Sequence, residues 1–114
     1  LIEDARESYE AHAGHGDLDL ADADLHLWTS LDPFDGRAWL ERGALCAAKQ
    51  DLIGAMAAYE AAVVYDARLL LAHLGLAVVY EQLGFRKRAR ATWSKARDLA
   101  PDEATRAAID RHLA

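Results

Sequence analysis

The sequence predicts an all-α fold: a stack of three helical hairpins with one closing helix, forming a single domain over residues 1–114. Three observations carry that prediction. The apolar share is 53%, dominated by alanine, and only two prolines and seven glycines interrupt it. Alanine loses no side-chain entropy in a helix, and the β-branched residues that lose χ1 freedom there are sparse. Next, a period of 34 residues aligns Ala21, Ala55 and Ala89, then Leu25, Tyr59 and Trp93, then Trp28, Ala62 and Ala96, with no insertion. Finally, Ser30-Leu31-Asp32-Pro33-Phe34-Asp35 and Asp98-Leu99-Ala100-Pro101-Asp102-Glu103 are related phrases two periods apart, with Ala67 at the midpoint of the proline column. A fixed period of this size marks supersecondary units that bury their apolar faces on one another.

The repeats run over 2–35, 36–69 and 70–103. Helices are expected at about 2–14 and 17–31, then 36–49 and 52–65, then 70–83 and 86–99. Gly16 and Gly84 mark tight turns within hairpins, and Asp35 is placed to cap the helix that carries Trp39. Small residues at Gly43 and Ala77, and at Ala55 and Ala89, let helices approach closely, while Tyr59 and Trp93 fill the space beside them. Asp102 caps a seventh helix over about 103–113, expected to cover the last repeat with Ala104, Ala108, Ile109 and Leu113. Arg106, Asp110 and Arg111 would form its polar outer face. The first repeat departs from the others. Tyr9 stands where the later repeats carry a small residue, so its helix should pack differently. Trp28 replaces an alanine and should be partly exposed or rest on that helix.

These columns resemble the tetratricopeptide repeat, whose pattern is an aromatic, a Leu-Gly pair, a tyrosine, then Ala, an aromatic, Ala and Pro at fixed offsets. The second repeat supplies Trp39, Gly43, Ala55, Tyr59 and Ala62. The third supplies Leu76, Ala77, Tyr80, Gly84, Ala89, Trp93, Ala96 and Pro101, and the first only Gly16, Ala21 and Pro33. The resemblance implies a right-handed α-α superhelix that binds another protein or peptide, without catalysis and without a cofactor. It also implies a concave groove lined by the first helix of each hairpin. By position, that groove presents Arg37, Leu40, Glu41, Ala44, Ala47 and Ala48, then Leu71, Leu74, Gly75, Val78, Glu81 and Gln82, with Glu3, Arg6, Glu7 and Glu10 at one end. The clamp with which some members hold a C-terminal carboxylate is not matched. Only Arg6 falls on a cationic clamp position, Glu10 and Glu41 stand where asparagines would, and Leu71 and Gly75 replace the later Lys and Arg. An apolar floor suits instead a hydrophobic or amphipathic segment of a partner.

No catalytic constellation emerges: there is no glycine-rich phosphate loop, no cysteine pair and no nucleophile elbow. The strongest metal candidate is His12, His15, Asp22 and His26, which reads better as a solvated acidic face with scattered histidines. Asp17-x-Asp19-x-x-Asp22-x-Asp24 lacks the glycine and closing glutamate of a calcium loop, and acids suit the positive end of a helix. Cys46 shares the inward column of Tyr80 and reads as a buried structural thiol, since few cations stand near it in sequence. The columns of Trp39 and Trp93 demand bulk for packing and argue against an aromatic ligand cage.

The net charge of −6 is unevenly spread. Residues 1–35 hold ten acids against Arg6 alone, whereas Arg86, Lys87, Arg88, Arg90, Lys95 and Arg97 form six bases with no acid over 86–97. Two further readings follow. One is a self-assembling scaffold in which acidic and basic ends meet head to tail. The other, weaker, is nucleic-acid binding through 86–97, although those bases spread around the helix and lack interleaved aromatics. No run approaches the ~18 apolar residues of a membrane span, and no charged-then-apolar leader opens the sequence. The opening on Leu1 fits a fragment or a processed form. One cysteine fits a reducing, cytoplasmic setting, and the Ala-, Arg- and Asp-rich composition points to a bacterial source.

Overall fold

The structure is a computed structural model that describes residues 2–114. Among the described residues every regular element is an α-helix. In order they are α1 (Ile2–Gly14), α2 (Leu18–Leu31), α3 (Gly36–Ala48), α4 (Leu52–Tyr65), α5 (Leu70–Gln82), α6 (Arg86–Leu99) and α7 (Glu103–Leu113). The expected boundaries hold to within a residue. None of these helices is long and apolar enough to cross a membrane. Consecutive helices pack as hairpins, and the hairpins stack into a body of 43 × 26 × 24 Å whose long dimension follows the stack.

Local sequence sets the helix ends. Asp17, Asp35, Asp51 and Asp102 cap α2, α3, α4 and α7, their carboxylates accepting from the backbone N–H of Leu20, Arg37, Gly54 and Thr105. That is the expected use of a short acidic side chain before a helix. Each hairpin turn passes through the left-handed region at one recurring column, with φ of 74° at Gly16, 64° at Gln50 and 83° at Gly84. Glycine enters that region freely, whereas a side chain such as that of Gln50 is strained there by roughly 1–2 kcal/mol.

Packing centres on a slot. The ring of Tyr59 lies between α3 and α5, and a Cβ added at Gly43 or Gly75 would sit 2.6 or 2.5 Å from it. Trp93 fills the equivalent place one repeat later, donating from its indole Nε1 to Glu81 at 2.6 Å and stacking on His112 of α7 with centroids 4.0 Å apart. In the first repeat the volumes are exchanged. The aromatic column holds only Leu25, which is fully buried, and the bulk comes from Tyr9 in the small column, 6.2 Å from the Trp28 ring. Trp28 therefore rests on the first helix, and it is buried, not partly exposed (2%). Trp39 is the tryptophan left half-buried, donating to the Pro33 carbonyl at 2.8 Å beneath the Arg42 guanidinium.

The closing helix corrects one expectation. Ile109 is buried and Leu113 packs on the core, but Ala104 and Ala108 face solvent. Asp110 stays half exposed and reaches back to α6, its Oδ1 accepting from Arg97 Nε at 2.7 Å. Ile109, Leu113 and the His112 ring stacked on Trp93 occupy the side of α7 that meets the core, which leaves the alanines on the opposite side.

Gly43→Ala should push the Tyr59 ring out of place and lower stability by roughly 1–3 kcal/mol in urea unfolding. Gln50→Gly should relieve the turn and raise stability by about 1 kcal/mol in the same assay; no gain would mean that Gln50 is held by contacts worth as much as the strain.

Candidate functional site

Between α3 and α5, with Tyr59 at its base, lies an open groove of about 400 Å³. Ala47 and Gln50 line it from α3 and the following turn, and Leu52 and Tyr59 from α4. Leu71, Leu74, Gly75, Val78, Val79 and Gln82 complete it from α5. Side chains at i, i+3, i+4 and i+7 share a helix face, which is why Leu71, Leu74, Gly75 and Val78 come together. Leu71 and Val78 are left 63% and 40% exposed. No lining side chain is charged. Its polar groups are the two glutamine amides and the Tyr59 hydroxyl. That hydroxyl makes no hydrogen bond among the described residues, and no buried polar atom there lacks a partner, so it reaches solvent through the groove. Burial of the ring raises the Tyr59 pKa, which keeps the hydroxyl a neutral donor.

The structure thus brings Ala47, Leu71, Leu74, Gly75, Val78 and Gln82 together, whereas Arg37, Leu40, Glu41, Ala44 and Glu81 lie outside the groove lining. Leu40 is a correction: it is 7% exposed within the main core and so is not free to meet a ligand. Arg37 and Glu41 pair at 3.7 Å, and Glu41 accepts from the Tyr9 hydroxyl at 2.6 Å, which ties α3 to α1. Ala44 is exposed outside the groove lining. Glu81 turns toward Trp93 and toward His112, 3.4 Å away, at the closing helix. Sequence reasoning overlooked Tyr59, whose column reads simply as core, and Gln50, whose turn column reads as glycine.

The remaining candidates disperse. His12 donates to Asp24 instead of meeting Asp22, His15 reaches the Ala11 carbonyl, and His26 lies 3.6 Å from Asp22. No group of three metal-ligating side chains forms among the described residues. Cys46 is half-buried, in a cleft of about 350 Å³ that also holds Arg42, Lys49 and Asp51. Cations do stand near it, but burial and Asp51 outweigh them and push the thiol pKa up, which disfavours reactivity. On α6, Arg86, Lys87, Arg88 and Arg90 are all exposed. Arg88 lies over Phe85 at 5.4 Å, while Arg97 is held by Asp110.

Two tyrosines join the hairpins. Tyr9 donates to Glu41, and burial followed by that carboxylate holds its pKa well above the ordinary tyrosine value. Tyr80 donates to Glu60 of the preceding hairpin at 2.9 Å, and burial, then Glu60, raises its pKa from 10.0 to about 12.

No protein-family profile and no curated protein sequence matches the chain. Solved structures do. The type III secretion translocator chaperone SycD of Yersinia enterocolitica superposes with a TM-score of 0.89 at 19% identity, over 98% of this chain and 80% of that one. PcrH, solved with the chaperone-binding region of PopD, gives 0.87 at 23% identity over 98% and 87% of the two chains. The TPR2B domain of yeast Sti1, solved as a pHsp70 complex, gives 0.87 at 20% identity over 98% and 92%. The chain has the tetratricopeptide-repeat fold: three helical hairpins and a closing helix.

Because the folded state raises the Tyr80 pKa, it favours the neutral phenol. The associated stability is present in full below pH 10 and is lost as pH climbs toward about 12. Urea unfolding between pH 8 and pH 12 should show this decline, and Tyr80→Phe should flatten it.

Proposed function

We propose that the chain is a non-catalytic protein-interaction module whose groove between α3 and α5 takes an apolar or amphipathic segment of a partner protein. The observation that carries this reading is the groove itself. It leaves Leu71 and Val78 open to solvent, surrounds them only with uncharged groups, and offers the Tyr59 hydroxyl and two amides for hydrogen bonds. Such a surface gains free energy by burying apolar side chains while the few polar groups fix orientation. Gln50 adds to the argument. A non-glycine residue held at positive φ on the rim of a groove is the kind of strain that recurs at ligand sites.

The fold neighbours support the same class of function. PcrH was solved with the chaperone-binding region of PopD, SycD with a peptide of the translocator YopD, and the Sti1 domain with pHsp70. Carboxylate clamping does not suit this chain. Arg6 is half-buried, lies 5.6 Å from the Trp28 ring and pairs with Glu10 at 3.7 Å, while Leu71 and Gly75 carry no charge. Nor do the α6 bases line the groove, which removes nucleic acid as an occupant of this surface.

An array of short peptides, graded from fully charged to amphipathic and apolar, tests the reading. Binding should rise with apolar content at helical or alternating spacing and fall at least about tenfold in Leu74→Glu or Val78→Glu, with the circular dichroism unchanged. Equal binding by these variants, or preference for peptides with a charged C-terminus, would dismiss the groove.

A further inference from the structure

The two ends of the stack are built differently. α2 turns Asp22 and Thr29 toward its successor: Asp22 lies 3.8 Å from Lys49, and Thr29 Oγ1 accepts from Arg42 at 3.3 Å. At 100° per residue, the opposite side of α2 carries Leu20, Leu27 and Leu31. These are 47%, 50% and 40% exposed. One period later the same columns hold Gly54, Ala61 and Tyr65. There Gly54 shares a cleft with Asp22 and His26 of the preceding hairpin, and Tyr65 packs on Phe34 at the end of the preceding repeat. The leucine row is therefore the surface with which a repeat meets its predecessor, and among the described residues nothing covers it.

At the other end α7 closes the core and shows solvent Ala104, Ala107, Ala108 and Arg111. Beside it, Arg90 stands in the column of Asp22, on the side a hairpin turns toward its successor. Arg90 and Arg111 make no ion pair among the described residues. The end with the leucine row belongs to a hairpin dense in acids, the exposed Asp17 standing beside the row while Asp24 is held by His12. One end thus offers a leucine row on an acidic hairpin, and the other a low alanine surface with Arg90 and Arg111.

We propose that these ends dock head to tail on a second copy of the chain, the α2 leucine row seating on the outer face of α7. Two leucine ends cannot pair instead, because their acidic hairpins would be brought together. The contact is heterologous and each added copy exposes a fresh end, so it builds open chains. The body is 26 × 24 Å across the stack, which confines the contact to the small end of stable interfaces. The association is accordingly weak and dependent on concentration, and salt lowers it because its charges lie at an exposed rim.

Sedimentation velocity on the chain at rising concentration, in low and in high salt, tests this. The weight-average mass should climb past that of a dimer in low salt and fall back in high salt. Leu27→Glu and, separately, Arg90→Glu with Arg111→Glu should each reduce self-association at least about tenfold. Mixed together, those two variants should form a dimer and stop there, because each keeps one intact end. Leu74→Glu in the groove should leave the mass unchanged, which separates this contact from the peptide site. A monomer under all conditions would overturn the proposal, as would assembly that ends at a dimer in the unaltered chain or a mixture of the two variants that stays monomeric.

Discussion

The ring of Tyr59 wedged between Gly43 and Gly75 is the contact on which most of the architecture depends. Three helices meet at it, and neither α3 nor α5 could approach so closely with a side chain at either glycine. Because the ring occupies the space between them, α3 and α5 are held apart at its far edge, and that separation is the groove. Packing and binding surface are thus one construction: the residue that locks two repeats together also forms the base on which a partner would lie.

The same wedge explains why the first repeat looks irregular without being disordered in its packing. With Leu25 in the aromatic column, there is space that Tyr9 enters from the other helix, and Trp28 closes over it. The volume is conserved while the residues supplying it change places, the kind of exchange that close-packed cores tolerate. The hydroxyl of Tyr9 then finds Glu41, so a position that breaks the repeat becomes a tie between hairpins.

Much of this was legible in the sequence, because a period of 34 residues, with the caps Asp35 and Asp102, declares helix number, length and order directly. Much of the groove was legible too: Ala47, Leu71, Leu74, Gly75, Val78 and Gln82 follow from the concave position that the repeat resemblance gives the first helix of each hairpin. What could not be read was rotation about a helix axis. Leu40 and Leu74 share a repeat column, yet Leu40 sits in the core because Tyr59 and the neighbouring helices enclose it. Ala104 and Ala108 were misplaced for the same reason, since the stacking of His112 on Trp93 has no periodic signature. Pairing choices such as His12 with Asp24 in place of Asp22 likewise depend on which side of α2 meets α1.

Most of the buried apolar side chains fall into two clusters, and the division has a mechanical meaning. Ala5, Leu25, Trp28, Ala38 and Leu45 form a small cluster at one end, while a larger one runs from Leu40 through Tyr59 and Trp93 to Ile109. Among the described residues only α3 contributes to both. In a solenoid each unit is steadied by its neighbours, so a hairpin with one neighbour and a small cluster opens at lower free energy than the rest. Heat or pulling would therefore unravel the molecule directionally, α1 and α2 peeling away first while the groove between α3 and α5 stayed intact.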